Sequence, residues 1–485
     1  MEHSDIGYKH ELTPQYSCGV KTLLLILGIC SFLVFFNAIN HPFVHDDIVF
    51  IVQNPQISHL EHWEDIFLHP NIAASDGINA YYRPILEVFY RLEYQLFGFD
   101  ASGFHLANVL IHMANGFLIF LLLSYLRLSK WFAFGVSLLF LIHPVQTEAV
   151  ACVAGVSNLL STLFVLLTLY AYVQEKYFLL VVSFILALLT KEQVIVIPLL
   201  FVLLDWYHHR RNRYGLWFCF VLMILGFLAL RANITGSHML QDILQSPGEL
   251  RLRILAIPRT LLMYLRLLVF PCDLHYYRNT DILAPNGLGF IILGSLSVVL
   301  VWLVKKFQES SREIIFGMAW FIICLLPVLN VLPLINEYSF ILTADHFLYL
   351  PIVGIVIAGG AIARQIIPFQ KLIVVGGLVC LILGLQSVYQ NTFWRGEIPL
   401  FERMIHFEPN FGRGQLLLAK AYFSNKQEDL ALEHYQRALS IMKGYRKKSA
   451  NARASQFYDG FIKDINYDIA QCYLAKPALQ ASSQE

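Results

Sequence analysis

The sequence predicts an all-α protein that crosses a membrane many times and carries a short helical domain at its C-terminus. Of the 485 residues, 57% are hydrophobic and only 14% are charged, and the mean hydropathy is +0.58. Soluble domains carry about 25% charged residues. Apolar stretches recur along the first 390 positions, at lengths that suit membrane-spanning helices. The formal net charge of +1 gives no indication of a nucleic-acid partner.

The predicted membrane-spanning segments fill most of this first part of the chain. The first runs from Thr22 to Ile39 and is long enough to cross a bilayer. It is too long for the apolar core of a signal peptide and shows no small-residue cleavage site, so we expect it to be retained. In order, the apolar stretches cover residues 22–40, 104–126, 131–142, 150–173, 177–190, 193–206, 214–230, 287–304, 314–334, 347–363 and 371–390.

Basic residues predict the orientation of these segments, because Lys and Arg concentrate in cytoplasmic loops. With the N-terminus in the cytoplasm, about 11 transmembrane helices would place every basic turn on the cytoplasmic side and the C-terminal region outside. The basic turns are Lys9 and Lys21, Arg127 and Lys130, Lys176, residues 208–213, Lys305, Lys306 and Arg312, and Arg364 with Lys371. The first outer loop then covers about residues 41–103.

This orientation requires that residues 254–270 do not cross the membrane. The segment contains Arg259 and Arg266, and arginines are costly in the middle of a bilayer. Their spacing of seven places both on one face of a helix. We therefore expect an amphipathic helix that lies at the outer interface.

A second domain is predicted from residue 391 to residue 485, after a membrane domain of residues 1–390. Its pattern of small and aromatic residues matches the helical hairpin of a tetratricopeptide repeat. The matching residues are Leu418, Ala419, Tyr422, Ala431, Tyr435 and Ala438, and Ile469, Ala470 and Tyr473 would begin another repeat. Because a free-standing array needs about three repeats, we expect this tail to lean on the membrane domain or on a partner protein.

Two adjacent carboxylates, Asp46 and Asp47, directly follow the first predicted span. A carboxylate within hydrogen-bond reach of a hydroxyl can serve as a general base. At this position the pair would be hydrated enough to ionise and would lie close to the lipid surface. The alternative is an ordinary solvated turn or a helix cap.

Other polar residues of the outer segments have structural alternatives as well. Arg83 could bind a phosphate with its planar fork or could stack on the neighbouring tyrosines. Residues 143–148 could form a helix-capping turn, with Thr147 and Glu148 as N-terminal helix residues after Pro144, and Lys191 with Glu192 could form an exposed ion pair. Five histidines of the first outer loop show no spacing typical of a metal site, namely His41, His45, His59, His62 and His69.

Seven short motifs occur in a fixed order along the chain. They cover residues 43–47, 51–55, 82–84, 105–112, 143–150, 191–193 and 344–351. This series resembles the transmembrane and tetratricopeptide-repeat protein O-mannosyltransferases and their bacterial relatives, which belong to the C superfamily of glycosyltransferases (GT-C). Residues 391–394, 400–401 and 409–410 resemble the segment that precedes the repeats of that family. The likeness extends over most of the chain.

The resemblance implies a GT-C-like bundle and an inverting glycosyltransferase. The enzyme would move a mannose-like hexose from a polyprenyl-phosphate donor lipid to a hydroxyl of a protein or glycan acceptor on the extracytoplasmic side. Its location would be the inner membrane of a bacterium, as a multi-pass protein, with a possible protein partner at the repeat tail. The resemblance implies no certain cofactor, and it leaves open whether a divalent metal is needed.

The resemblance also suggests residue roles. The base would be Asp46 or Asp47, with Asp46 slightly favoured. The donor phosphate would be bound by Arg83, Arg259, Arg266 and Arg278. The pocket for the sugar or the acceptor would be formed by Tyr82, His143, Thr147, Glu148, Lys191, Glu192, Asp345 and His346.

Several departures from the family leave alternatives open. Asp345 and His346 stand where relatives usually carry Glu-Arg, His45 stands where an aromatic residue is common, and the repeat tail is very short. One alternative is an O-oligosaccharide ligase, which would rely on a late, large outer loop. Another is a non-catalytic scaffold or transporter, although a transporter should carry more charges within its spans.

Overall fold

The structure is a computed structural model that describes residues 14–58, 63–69, 72–73, 80–209, 213–235, 247–278, 287–329, 343–448 and 452–482. These residues are almost entirely helical, which confirms the predicted all-α class. Two short antiparallel strands, β1 (Ile72–Ala73) and β2 (Ala80–Tyr81), belong to the first outer loop. An isolated bridge pairs Arg278 with Thr343 and so joins two later loops.

The helices follow the apolar stretches of the sequence. Those of the first half are α1 (Pro14–Phe35), α2 (Asp65–Leu68), α3 (Pro84–Phe97), α4 (Ala101–Tyr125), α5 (Lys130–Ile142), α6 (Thr147–Ala151), α7 (Val156–Val173), α8 (Tyr177–Thr190), α9 (Ile197–His208) and α10 (Tyr214–Thr235). Those of the second half are α11 (Pro247–Val269), α12 (Gly287–Lys306), α13 (Ser311–Leu325), α14 (Ile352–Ile366), α15 (Phe369–Asn391), α16 (Glu397–Phe407), α17 (Gly412–Ser424), α18 (Glu428–Lys448) and α19 (Ala452–Ser482).

Within the described residues, seven helical segments are long and apolar enough to cross a membrane. They are Gly19–Ala38, Ala101–Tyr125, Val153–Val173, Tyr214–Thr235, Gly287–Lys306, Gln308–Val328 and Phe369–Trp394. Helix α5 and the segment Pro144–Ala151 would form an eighth span with a bend of 51°, and α8 and α14 are apolar but shorter. A polytopic membrane protein is thereby confirmed, whereas eleven crossings and their orientation stay predictions.

Buried polar side chains of α4 hold two irregular segments of the chain against the helical bundle. In α4, the Asn108 amide donates to the carbonyl of Cys152 at 2.9 Å and so supports the break between α6 and α7. One turn further, His112 Nδ1 lies 2.7 Å from the hydroxyl of Tyr349. Asn115 also donates to that hydroxyl, at 3.1 Å. Because buried polar groups need partners, these bonds fix two irregular segments onto one long helix.

Helices α13 and α14 pack with their backbones in contact. Gly317 faces Gly354, and a Cβ atom on either residue would collide with the carbonyl oxygen of the other. Small residues allow membrane helices to approach this closely. The contact holds α14, which begins directly after the turn that carries Asp345 and His346.

The segment that contains Arg259 and Arg266 is helical, as predicted, and forms most of α11. It is not among the described helices that are apolar enough to span a membrane. The side chain of Arg266 is half exposed and forms an ion pair with Asp273. Its location at the outer interface stays a prediction.

The tail forms the predicted helical hairpin from α17 and α18. All six residues of the repeat pattern are buried in it, and Tyr422 also donates to Glu402 at 2.6 Å. The expected start of another repeat lies within α19, but its inward-facing residues are Ile465 and Cys472. Of the predicted residues, Ile469 is partly buried and packs against the core, whereas Ala470 and Tyr473 are exposed. A further repeat stays a prediction.

The tail leans on the membrane domain, as expected for so short an array. From α16, Arg403 donates to the carbonyl of Leu274 at 2.7 Å, and its guanidinium lies 4.1 Å from the centre of the Phe393 ring. His275 stacks on Phe407 with 5.1 Å between ring centres. The α16 helix is thereby fixed beside the loop that follows α11.

Candidate active site

Asp47 is fully buried and serves as a structural anchor. Its carboxylate accepts hydrogen bonds from the backbone N–H of Ala154 at 2.7 Å and of Val44 at 3.0 Å. The Cys152 thiol donates to it at 3.3 Å. Burial raises the pKa of Asp47 to about 6, although the two backbone N–H groups oppose the rise. The side chain therefore ties the first outer loop to the break before α7.

Asp46 is the accessible member of the pair. Its side chain is 21% exposed, and Oδ2 accepts a hydrogen bond from the Tyr276 hydroxyl at 2.6 Å. Oδ1 lies 3.4 Å from Nε2 of His45. His45 has a positive φ of 47°, a conformation that is uncommon outside glycine and is frequent at functional sites. The two adjacent acids thus play different structural roles.

Aromatic rings surround His45 beside this carboxylate. Tyr276 and Phe401 each meet the imidazole edge-on with 5.4 Å between ring centres, and Tyr277 does so at 6.0 Å. Trp394 packs edge-on against Tyr276 at 5.6 Å. The backbone N–H of His45 donates to Glu397 at 3.3 Å. The tail therefore contributes part of the wall around Asp46.

Arg83 is paired with Glu192 across two distant segments. The guanidinium donates from Nε at 3.2 Å and from Nη2 at 2.7 Å, and it lies 4.3 Å from the centre of the Tyr81 ring. Burial alone would raise the pKa of Glu192, but Arg83 and Arg231 outweigh it and lower the pKa to about 2. The stacked-arginine alternative is correct, and a buried ion pair accompanies it.

Lys191 does not pair with its neighbour Glu192 at the surface, so the alternative of an exposed ion pair is wrong. Both side chains are buried. The Lys191 ammonium donates to Asn158 Oδ1 at 2.6 Å. Burial, and then the charge of Arg83, lower its pKa to about 7. Within the described part of the chain, this lysine has no carboxylate at ion-pair distance.

Two further polar pairs involve the neighbouring residues Asp345 and His346. Glu148 Oε1 lies 2.7 Å from Nδ1 of His346, and Oε2 accepts the backbone N–H of His346 at 3.0 Å. Arg278 donates to Asp345 at 2.8 Å and to the carbonyl of Asp273 at 2.7 Å. A buried arginine from a different loop thus supplies the fixed cation that the Asp345-His346 pair lacks.

The remaining predicted residues have mainly structural contacts. His143 accepts the backbone N–H of Val145 at 3.1 Å, and its Nε2 lies 3.1 Å from the carbonyl of Leu268. His143 thus caps the turn at residues 144–146, and Thr147 and Glu148 are the first residues of α6, as the capping alternative predicts. Tyr82 donates to the carbonyl of Phe67 at 3.1 Å and supports the first outer loop.

Two clefts adjoin these charge pairs. The first, of about 310 Å³ with part open to solvent, is lined among others by Thr147, Glu148, Tyr276, Asp345, Trp394 and Arg403. The hydroxyl of Thr147 is buried there without a hydrogen-bond partner. The second, of about 500 Å³, is lined among others by Asn158, Thr162, Gln193, Leu200, Cys324 and His346. The hydrogen bonds between Glu148 and His346 join the two clefts.

The predicted phosphate-binding arginines are not brought together. Arg83 and Arg278 are paired inside the protein, whereas Arg259 and Arg266 lie on α11 and line neither cleft.

For metal binding, the described residues contain no group of three or more His, Cys, Asp or Glu side chains that could hold an ion. His59 and His62 lie outside the described residues, and His41 packs edge-on against His105.

Four important residues escaped the sequence analysis, namely Asn158, Tyr276, Trp394 and Arg403. Tyr276 is distant from the acid pair in the sequence and meets Asp46 only in the folded chain. Trp394 stood in a motif of the family resemblance without an assigned role. The Tyr276-Tyr277-Arg278 run, polar within an apolar chain, was the available signal for a site loop.

Fold and site together define a class of protein, a polytopic helical membrane protein with a partly accessible carboxylate beside a charged cleft. No family model matches the chain, and no solved structure matches it. The chain is similar to a protein O-mannosyl-transferase of Caenorhabditis elegans, at 25% identity over 453 residues that cover 89% of this chain and 64% of the relative.

Two more relatives carry the same name. Protein O-mannosyl-transferase TMTC4 of Mus musculus is 24% identical over 503 residues, which cover 85% of this chain and 65% of the relative. For tmtc2 of Xenopus laevis, the match is 31% identity over 154 residues, or 31% of this chain and 18% of the relative. The chain thus spans a little under two thirds of the length of the first two relatives. These relatives are animal proteins, and the bacterial inner membrane stays a prediction.

Proposed function

We propose that this protein is a membrane-embedded glycosyltransferase that moves a mannose-like hexose to a hydroxyl group of a protein. The donor is a polyprenyl-phosphate sugar, and the reaction takes place on the extracytoplasmic side with inversion at the sugar. One observation carries the proposal. Asp46 keeps part of its side chain accessible while it accepts a hydrogen bond from Tyr276, a residue that lines the first cleft. The names of the relatives support the same reaction.

In the proposed reaction, Asp46 acts as the general base. The acceptor hydroxyl gives its proton to Asp46 while its oxygen attacks the anomeric carbon of the sugar. The bond between that carbon and the phosphate oxygen breaks, and the polyprenyl phosphate leaves with the electron pair. A single displacement of this kind inverts the anomeric configuration. Tyr276 keeps Asp46 oriented through its hydrogen bond to Oδ2, and Oδ1, which lies 3.4 Å from Nε2 of His45, is the oxygen that would take the proton.

The first cleft provides groups suited to a sugar. The free hydroxyl of Thr147 can bind a sugar hydroxyl, and Glu148 and Asp345 offer carboxylate oxygens beside it. Trp394 gives an apolar wall, and aromatic rings suit the apolar faces of pyranoses. The hydrogen bond from Arg278 keeps Asp345 in place. We propose that the hexose lies here, between Asp46 and the Glu148–His346 pair.

The test uses the purified full chain, a polyprenyl-phosphate mannose donor and serine- or threonine-containing acceptor peptides. Mass spectrometry should detect a single added hexose on the peptide. Asp46→Asn should lower the rate by about 10²- to 10⁴-fold, as expected for the loss of a general base. Full activity of Asp46→Asn would remove this residue from the mechanism. Transfer of a preassembled oligosaccharide would favour the ligase alternative, and no transfer at all would favour the scaffold.

A further inference from the structure

The second cleft has both polar and apolar lining residues. Asn158 lies in the first turn of α7, and Gln193 and His346 lie in the segments before α9 and α14; we call these three residues the polar end. Ser161 and Thr162 follow one turn further along α7, and the apolar body includes Val165 of α7, Ile197 and Leu200 of α9, Cys324 of α13, and Leu350. Both α7 and α13 belong to segments that could span a membrane. A cleft of this kind suits an amphiphile whose head lies at the membrane surface and whose chain lies among the helices.

Donor groups at the polar end are not fully used. Nε2 of Gln193 is buried and has no hydrogen-bond partner, although buried amide groups are normally paired. The Lys191 ammonium, which has three N–H groups, donates one to Asn158 in the wall of the cleft. The ring of His346 also lines the cleft, while its Nδ1 is engaged by Glu148. The Gln193 amide and the Lys191 ammonium are suited to oxygens of an anion.

Charge pairing distinguishes Lys191 from Arg83 and Arg278. Arg83 has the carboxylate of Glu192, and Arg278 has that of Asp345. Lys191 has only the neutral amide oxygen of Asn158 as its hydrogen-bond partner in the described part of the chain. A buried ammonium without a carboxylate is stabilised by an incoming anion. The phosphate of a lipid is an anion of suitable size.

We propose that the second cleft binds the prenyl-phosphate part of the donor, with the phosphate between Lys191, Gln193 and His346. The prenyl chain runs along Leu200 and Cys324 toward the bilayer. This assignment rests on the proposed function for the attached sugar, which would extend past the Glu148–His346 pair into the first cleft. It replaces the arginines that the sequence analysis favoured as the phosphate site.

Binding is tested without sugar or acceptor, so that the result is independent of transferase activity. The probe is farnesyl phosphate, titrated into the purified full chain in detergent by calorimetry, with farnesol and inorganic phosphate as comparison ligands. We expect farnesyl phosphate to bind much more tightly than either. Equal binding of farnesol would overturn the phosphate assignment, and equal binding of inorganic phosphate would overturn the lipid assignment.

Three variants locate the site. Lys191→Met should weaken binding of farnesyl phosphate at least tenfold, and Leu200→Trp, which fills the apolar body, should weaken it similarly. The matched control is Lys176→Met, because Lys176 is an exposed lysine at the other end of α8. Its affinity should be that of the wild type. If both Lys191→Met and Leu200→Trp bound farnesyl phosphate with wild-type affinity, the proposal would be wrong.

A second route covers a Lys191→Met protein that fails to fold. Gln193→Leu removes the unpaired amide and keeps a side chain of similar size, so it should fold and should weaken farnesyl phosphate several-fold. If the chain binds farnesyl phosphate as described but transfers no hexose, the proposed function fails and the lipid site stands. If transfer occurs but neither Gln193→Leu nor Leu200→Trp alters binding, the lipid site fails alone.

Discussion

The Tyr276 hydroxyl donates a hydrogen bond of 2.6 Å to Asp46, a residue that lies 230 positions earlier in the sequence. This bond connects the first outer loop to the loop after α11. Burial, followed by the charge of Asp46, raises the pKa of Tyr276 well above its usual range. The phenol therefore stays protonated and keeps donating at every pH at which the protein is folded. The orientation of Asp46 thus depends on the neutral phenol of Tyr276, which does not lose its proton when Asp46 titrates.

Tyr276→Phe should lower kcat/KM for hexose transfer by roughly ten- to a hundred-fold, because a hydrogen bond to a charged group contributes about 1.5–3 kcal/mol. The ring contacts of Tyr276 are retained in the variant, so its loss of stability should not exceed that of the single hydrogen bond, about 1.5–3 kcal/mol. Tyr177→Phe, at an exposed tyrosine, is the control. Steady-state kinetics with the mannose donor would contradict this role if Tyr276→Phe matched the wild type.

Asp47 should make the stability of the protein depend on pH. Its folded-state pKa, raised by burial to about 6, exceeds the ordinary value of about 4. The folded state then holds the proton more tightly than the unfolded state, so stability falls as the pH rises from about 4 to about 6 and levels off above that. The loss is on the order of 3 kcal/mol.

Thermal unfolding in detergent between pH 4 and pH 7 measures this effect. Asp47→Asn cannot titrate, and its melting temperature should vary less over that range than the wild-type value. One of the two backbone N–H groups would also lose its acceptor, which should destabilise the variant by about 1–3 kcal/mol at low pH. An identical pH dependence in both proteins would show that another group is responsible.

The Arg83–Glu192 pair should be costly to break on one side only. Glu192→Gln leaves the buried guanidinium without its carboxylate, and we expect a loss of about 3–5 kcal/mol in stability. Removing both charges, in Arg83→Met with Glu192→Gln, should recover part of that loss. The exposed pair Arg437–Glu433 provides the control, since breaking it should cost less than about 1 kcal/mol. Additive losses in the double variant would argue against coupling.

Lipid binding should follow the charge of Lys191. With a pKa lowered by burial to about 7, the ammonium is charged below that pH and neutral above it. The affinity for a prenyl phosphodiester, whose own charge is constant in this range, should therefore fall as the pH rises through 7. Lys191→Arg keeps its charge, so its affinity should stay flat between pH 6 and pH 8. If the wild-type affinity did not change with pH, Lys191 would not be the group that binds the phosphate.

The sequence was sufficient for the helices because long apolar stretches can be satisfied only as helices in lipid. The tail hairpin was predictable for a similar reason, since small residues must lie where two helices touch. Partners of individual charges were not predictable. Arg83 and Glu192 lie 109 positions apart, and no local pattern links them.

Adjacent residues proved the hardest to assign. Asp46 and Asp47 are chemically identical, yet one accepts backbone N–H groups inside the protein and the other meets a phenol at a cleft. Lys191 and Glu192 likewise face different partners, because neighbouring residues at the start of a short helix point in different directions. Such differences arise from the packing of distant segments, so a sequence motif can indicate a site without assigning its roles.

The attachment of α16 fixes the origin of the repeat domain in space. Arg403 and His275 fasten this helix beside Tyr276, and Glu397 reaches the backbone of His45. Any superhelix built from further repeats would start from that fixed direction. Repeat number could therefore change the reach of the array toward an acceptor protein, while the distance from its first helix to Asp46 stayed constant.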